Sequence, residues 1–587
     1  MNKFTRLPTS SVFPTIEALE ERSVPALLWV STLADSGPGS LREAITEAND
    51  KSGFNTIKFL PRMHGTIALQ EELLITDSVE IQGPLFRGVT LSGGDENRVF
   101  RVDDGKSDQI TVKMTNLTIA DGFASDNVLN PNPDEGLESL ETNVTGGGGL
   151  LNLGEIVKLK GVRFVNNKTS GGEGDGTFGL DAIGGAIANL FGGDLTVEWS
   201  EFSNNKAVSN FPLAVGNGID QAPDGVGGAI GNAARSNVTV SDSVFRDNEA
   251  TSPTGFAQGG AIGSYNGGTV VVQKSKFTEN TAVGGNEIPG FGGGGSGIGG
   301  AIVITDLVLF DNMAGTPSSL EVSGSTFAHN EAIGGDGLLE ATGTLSGNGI
   351  GGAIANYGGT SADISGSKFV SNRGVAGQGS QGAGTAGGAI ANISGDMTIK
   401  GSSFLLNSVS GGAADPNGDG VNTGFGGAGT GGAVVNYSGA MDIRHSYFAF
   451  NWARAGDGAD GLGGNGGAIA QDFGGELTVS HSTVVGNHVF GGDGIVGTDG
   501  RGGGIFNGAR TFDLFTGEEL GAPRLHLEYS AVVGNSAFGG EGSESDGKGV
   551  GGGVYLTEGG IAKRLASLVL FNSAEDEDNN VFGEFLI

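Results

Sequence analysis

A six-residue phrase, GGAIAN, stands at Gly184–Asn189 and returns unchanged at Gly351–Asn356 and Gly387–Asn392, with GGAVVN at Gly431–Asn436. Taking the fourth residue of each such element as a marker gives eleven copies: Leu150, Ile187, Ile230, Ile262, Ile302, Ile354, Ile390, Val434, Ile469, Ile505 and Val554. Successive markers lie 32 to 52 residues apart. A second marker follows each: Phe164, Phe202, Phe245, Phe277, Phe327, Phe369, Phe404, Phe448, Val484, Val532 and Val569. In nine of the eleven units the two markers are 14 or 15 residues apart, so this segment is rigid and the segment after it varies. A chain of 587 residues is too long for one compact core unless it repeats. A period of this size points to a solenoid, whose units bury their apolar faces against one another.

The rigid segment reads as a strand. The fifth residue before the second marker is Leu159, Val197, Val240, Val272, Val322, Ile364, Ile399, Ile443, Val479 or Leu527, breaking only at Arg564, and the seventh before it is apolar throughout. Mostly polar residues lie between, as in LTVEW (Leu195–Trp199), which is the alternation of a strand with one buried face. Three residues after the marker every unit places Asn: Asn167, Asn205, Asn248, Asn280, Asn330, Asn372, Asn407, Asn451, Asn487, Asn535 and Asn572. Two before it, Ser occupies ten of eleven units, with Val162 the exception. A polar residue fixed at one phase predicts a stacked amide ladder, each Asn donating to one turn and accepting from the other, with Asn also taking the left-handed bend at a corner. The Gly–Ala pair before the marker, as at Gly185–Ala186, suits a corner too tight for a side chain. The fold expected is all-β, a parallel β-helix with a short N-terminal capping helix.

The 114 glycines therefore serve a folded architecture, since proline numbers only 15 and no collagen triplet is present. The net charge of −34 argues against nucleic-acid binding, which needs clustered Lys and Arg to neutralise phosphates. Without cysteine, disulfides, thiolate-ligated zinc and thiol catalysis are excluded. No apolar run approaches the roughly 20 residues of a membrane-spanning helix. The variable segments are glycine-rich and acidic, leave after the ladder Asn, return before the next GGAI-like element, and so must crowd along one side.

Paired GGAI and FxxN elements resemble the repeats of the polymorphic outer-membrane protein family over Gly147 to Asn572. DSGPGSLREAITEAN (Asp35–Asn49) and NTIKFLP (Asn55–Pro61) are similar to the opening of bacterial right-handed β-helix repeat proteins. LEERSVPALL (Leu19–Leu28) resembles a short N-terminal motif of large exported bacterial proteins. The resemblance implies a right-handed parallel β-helix, exported to the extracellular space or cell surface of a bacterium, serving adhesion or display. Its members end in an autotransporter barrel, whereas only residues 573–587 follow Asn572, so self-translocation through a barrel is not expected. The organisation expected is a leader or disordered N-terminus at 1–29, a cap with about three irregular rungs at 30–125, an insertion at 126–146, eleven regular rungs at 147–572 and a tail at 573–587. Ser40 with Glu43 forms a capping box, and Leu41, Ala44, Ile45 and Ala48 give the apolar stripe that would cover the first rung.

Parallel β-helices also include polysaccharide lyases and hydrolases, and fold alone does not decide between them and a binding rod. Outward positions of three successive strands supply Asp363, then Lys400, then Asp442 and Arg444. Two carboxylates about 10 Å apart with cations between them have the chemistry to hold a metal ion and abstract a proton from a uronate. Cross-strand charge pairing on a solvated sheet is the preferred reading. His445 and His481 share a phase, followed by Tyr529, and stacking accounts for them without a metal, since a third ligand is not visible. Asp175, Asp336 and Asp493 lie in short GGDG-like stretches that could bind calcium weakly, although true calcium rolls need tandem nonapeptides and hydrated, flexible loops are the preferred reading. The function expected is a non-enzymatic surface rod contacting polysaccharide or cell-surface ligands. The alternative is a lyase or glycoside hydrolase using Asp363, Lys400, Asp442 and Arg444. No cofactor other than calcium is expected, and the sequence leaves the oligomeric state open.

Overall fold

The computed structural model describes residues 25–85, 88–126, 144–171, 181–209, 223–287, 293–306, 317–338, 346–414, 424–508 and 521–586. The chain forms a right-handed parallel β-helix. Each regular unit adds one strand to each of five parallel sheets, as the unit of Ile187 illustrates: Asp181–Ile183 in sheet I, Ile187–Leu190 in sheet II, Asp194–Glu198 in sheet III, Glu201–Ser203 in sheet IV and Lys206–Val208 in sheet V. The sheets hold 11, 14, 15, 14 and 12 strands respectively. Marker pairs with marker in every register, Ile187 with Ile230 and Phe202 with Phe245.

Sheets II, III and IV enclose the main core. Ile187, Leu195, Val197 and Phe202 point into it and are essentially inaccessible. The first eight second-marker rings stack face on face, with centroids 4.5–5.0 Å apart and planes within 8°. That spacing is the strand repeat itself, so in-register pairing forces the stack.

The corners come from two devices. Between sheets IV and V, Asn205 Oδ1 accepts from Asn167 N at 3.0 Å and Asn167 Nδ2 at 2.9 Å, while its own Nδ2 donates to Phe164 O at 3.1 Å and Asn248 Oδ1 at 2.9 Å. The same pattern runs to Asn572. The left-handed residue is not the ladder Asn but its predecessor: Asn166, Asn204, Asp247, Glu279, His329, Ser371, Leu406, Phe450, Gly486, Gly534 and Phe571 all have φ between 53° and 67°. The ladder amide must point inward along the stack, so the residue before it makes the bend and turns its side chain to solvent, which leaves its identity free. Between sheets III and IV the conserved-phase Ser works alike: Ser200 N donates to Ser243 Oγ at 3.0 Å, and Ser200 Oγ donates to Glu198 O at 2.9 Å.

The repeated phrase now resolves residue by residue. Gly184 has φ of 64°, and a Cβ on Gly185 would stand 2.3 Å from Gly228 O and 2.5 Å from the backbone of Lys206. Ile187 enters the core, Ala188 packs outward against sheet I, and Asn189 joins a second amide ladder, donating to Asn232 Oδ1 at 2.9 Å and accepting from Asn152 Nδ2 at 2.7 Å.

After the ladder Asn the chain leaves along sheet V and returns along sheet I, making a two-layered fin on the side where the variable segments were expected. The two layers meet through small residues such as Ala250, Ala257 and Ala282. Sheet I in turn lies on the outer face of sheet II through Ile183, Val226 and Ile298 against Ala188, Val303 and Ala355. Farther out, outgoing and returning glycines alternate in one ladder: Gly285 N to Gly255 O at 3.3 Å, Gly295 N to Gly285 O at 2.7 Å, Gly335 N to Gly295 O at 2.8 Å, Gly347 N to Gly335 O at 2.8 Å and Gly377 N to Gly347 O at 2.9 Å. A Cβ on Gly335 or Gly347 would meet a carbonyl oxygen at 1.9 Å, so the composition of these segments is steric. Their described parts are hydrogen-bonded, which corrects the expectation of merely hydrated loops.

Helix α1 (Leu41–Asp50) covers the N-terminal end with Leu41, Ala44, Ile45 and Ala48 buried, and Ser40 Oγ accepts from Glu43 N at 3.1 Å, as the capping box predicts. Four strands of sheet III, from Leu27–Val30 to Thr111–Thr115, precede the first regular unit. Within the expected tail, Val581–Phe582 adds a strand to sheet II and Phe585 packs on the core. The expected leader and the expected insertion fall mostly outside the described residues.

Candidate functional site

The charged positions singled out from the sequence stand on the outward face of sheet III, fixed by strands whose alternate residues are locked into the core. Asp363 pairs in register with Thr398, and Thr398 with Asp442; Ser365 pairs with Lys400, and Lys400 with Arg444. The four residues thus share one face of three adjacent strands, as expected. Two of them meet. Arg444 Nε donates to Asp442 Oδ1 at 2.9 Å and its Nη2 reaches the other carboxylate oxygen. This bidentate hydrogen bond raises the guanidinium pKa, with the carboxylate charge adding to the effect. Asp363 and Lys400 are exposed, and neither makes an ion pair with a described residue. Among the described residues these side chains rise from the outward face of the sheet, with Asp363, Lys400 and Arg444 exposed.

His445, His481 and Tyr529 occupy the left-handed position at the corner between sheets III and IV, with φ of 50°, 49° and 46°. Ring centroids are 5.0 Å apart between the histidines and 5.1 Å between His481 and Tyr529. The rings follow the spacing of the strands, but only His481 and Tyr529 stack, with planes 25° apart, whereas the two histidine planes are tilted by 57°.

Asp336 and Asp493 serve the fin. Asp336 Oδ1 accepts from Gln378 N at 2.8 Å, and Asp493 Oδ1 accepts from Glu541 N at 2.8 Å, each from the next rung. Asp493 also pairs with Arg454 at 3.2 Å. Asp175 lies outside the described residues. Among the described residues no three His, Cys, Asp or Glu side chains converge as metal ligands.

Three features escaped the sequence reading. Glu155, 2% exposed, accepts from Ile110 N at 2.6 Å and Asp104 N at 3.3 Å, and burial pushes its carboxyl up to about 7. Asp181 and Asp224 stand on successive rungs of the fin, where burial pushes Asp181 up to about 7 and holds Asp224 well above the usual carboxylate range. Their signal was present: each lies three residues before the Gly–Gly pair of its GGAI phrase, Gly184–Gly185 and Gly227–Gly228. Third, a cavity of about 200 Å³ opens between the fin and sheet II, where Ala386 and Thr430 replace the larger Ile350 and leave Ile393, Tyr437 and Phe473 facing a gap. None of the four sheet III candidates lines it. No family model and no curated protein sequence matches the chain.

Proposed function

We propose that the protein is a non-enzymatic rod of a bacterial surface or extracellular space, whose length serves contact with polysaccharide or cell-surface ligands. What supports this reading is the way its surface repeats. Chemistry concentrates on a few positions, where groups converge around a substrate and exclude water. Here the best catalytic candidates stand on the outward face of one sheet, where no described residue forms an ion pair with Asp363 or Lys400, and Arg444 is already bound by Asp442 on its own strand. The left-handed position at the corner between sheets III and IV carries Trp199 and, on three successive rungs farther along, His445, His481 and Tyr529, all exposed. Such faces suit sugar rings, and repetition along a rod multiplies weak contacts into avidity.

The test is incubation of purified full-length protein with a panel of acidic and neutral polysaccharides, with and without calcium. Co-sedimentation with an intact polymer is expected. New reducing ends or unsaturated products, abolished by Lys400→Ala or Arg444→Ala, would replace the rod by a lyase or hydrolase. Failure to retain any polymer would remove polysaccharide from the reading.

A further inference from the structure

Two carboxylates of the fin remain without a role in any of the above. Asp224 N donates to Asp181 Oδ1 at 2.7 Å, Phe256 N donates to Asp224 Oδ1 at 2.9 Å, and Gln258 Nε2 donates to Asp224 Oδ2 at 2.8 Å. These bonds fix both carboxylates on neighbouring rungs, about 4.8 Å apart along the axis. No Lys, Arg or His of the described residues forms an ion pair with either. Tyr265, at the end of its sheet II strand, packs in one cluster with Ile183 and Val226, each two residues after one of the carboxylates. It is 1% exposed, its hydroxyl has no hydrogen-bond partner among the described residues, and burial, with the charges of Asp224 and Asp181 adding to it, raises the pKa of that hydroxyl.

Adjacent, partly buried negative charges need compensation, because each is poorly hydrated and they repel one another. A proton would be the simplest. Yet among the described residues no hydrogen bond joins the two carboxylates to each other or Tyr265 Oη to either, so a proton on one of them reaches neither the other carboxylate nor the hydroxyl. A cation between them answers both requirements, since it draws on carboxylate oxygens and on a hydroxyl lone pair alike. All the available donors are oxygens, which selects hard ions over zinc or copper.

We propose that Asp181, Asp224 and Tyr265 Oη form a site for one hard divalent cation, with calcium the best match, joining the fin to sheet II. It is separate from Asp336 and Asp493, which stand on other rungs of the fin, and it does not depend on polysaccharide binding. Two charged ligands place it in the weak range, with a Kd on the order of 10⁻⁴ to 10⁻³ M.

The experiment is calorimetric titration of chelator-treated full-length protein with calcium chloride. One saturable site is expected, weakened about tenfold or more in Asp181→Asn and Asp224→Asn and kept in Asp336→Asn and Asp493→Asn. Asparagine retains an oxygen for the backbone N–H groups, and circular dichroism checks that the variants fold. Should either variant fail to fold, terbium luminescence excited through tyrosine decides: wild type gives a calcium-displaceable signal that Tyr265→Phe diminishes. Absence of a saturable site, equal affinity in the Asp181 and Asp224 variants, or unchanged terbium emission in Tyr265→Phe each overturns the proposal, and a proton is then the counter-charge.

Discussion

At the scale of residues, the fold rests on polar side chains fixed at one phase inside an apolar stack. Asn330 is the fifth of the eleven residues of the principal ladder. Its Oδ1 accepts from Asn280 N at 3.1 Å and Asn280 Nδ2 at 2.9 Å, and its Nδ2 serves Phe277 O at 3.1 Å and Asn372 Oδ1 at 2.9 Å. Asn330→Ala strands two donors of Asn280 and removes a donor from two oxygens, all inaccessible to water. Each unsatisfied buried group costs about 1–3 kcal/mol, so a loss of at least about 3 kcal/mol is expected from denaturant unfolding. Asn330→Asp tests the direction of the chain of bonds. It can accept from Asn280 but cannot donate onward, so it is expected to be worse at neutral pH than at acid pH, where a protonated carboxyl regains a donor. Equal stability of the two variants and wild type would show that the ladder merely accompanies the stack.

At the scale of elements, what the sequence made legible follows from signal strength. Sheets II, III and IV were readable because Ile354, Ile364 and Phe369 alternate with polar residues and point into one core. Sheets V and I were not, because strands such as Gly349–Ile350 and Thr385–Ala386 are two residues long and rich in glycine and alanine. Alternation needs length to be visible, and here backbone packing replaces side-chain burial. The bend residues escaped for the opposite reason: the backbone fixes their conformation while solvent leaves their chemistry free, so His329, Leu406 and Phe450 share one role. Candidate site residues were placed correctly on sheet III, but whether they pair or act depends on which partners stand across the rung. Glu155 shows an element held by one carboxylate. It ties the segment before Thr111–Thr115 to the turn after Leu150–Leu153, and its carboxyl is raised from 4.5 to about 7. A raised folded-state pKa means that the folded chain holds more protons between about 4.5 and about 7. Stability therefore falls as pH rises through that window and the loss is complete above it. Glu155→Gln removes this contribution, so thermal melting followed across the window should show a shallower fall in the variant than in wild type. Parallel curves would mean that Glu155 is ionised at little cost.

At the scale of the whole molecule, fifteen strands of sheet III at about 4.8 Å each make a rod on the order of 65 Å long. Among the described residues each rung pairs its strands with its neighbours, and a bond such as Gln109 Nε2 to Gly192 O that skips a rung is an exception, so stability is close to a sum of rung and interface contributions, and damage should stay local. The N-terminal end offers the sharpest test. Ile45 of α1 is 3% exposed and sits over the first rungs, so Ile45→Asp puts an unpaired charge where the core ends. The helix must then lift off, uncovering strands Leu27–Val30 and Asn55–Phe59, which pair with each other in parallel. Amide hydrogen exchange is expected to quicken there first and next at Val79–Gln82, while Glu476–Ser480, far along the same sheet, keeps its protection. The Asn and Phe ladders argue the other way, since they run unbroken from Asn167 and Phe164 across many units and could couple distant rungs. They begin, however, beyond the four irregular strands of sheet III, where no such ladder residue stands. Fraying should accordingly stop near Ile156–Lys160, the first strand of the regular units. Uniform loss of protection along the rod would mean that the stack unfolds as one cooperative body, against the nearest-neighbour account.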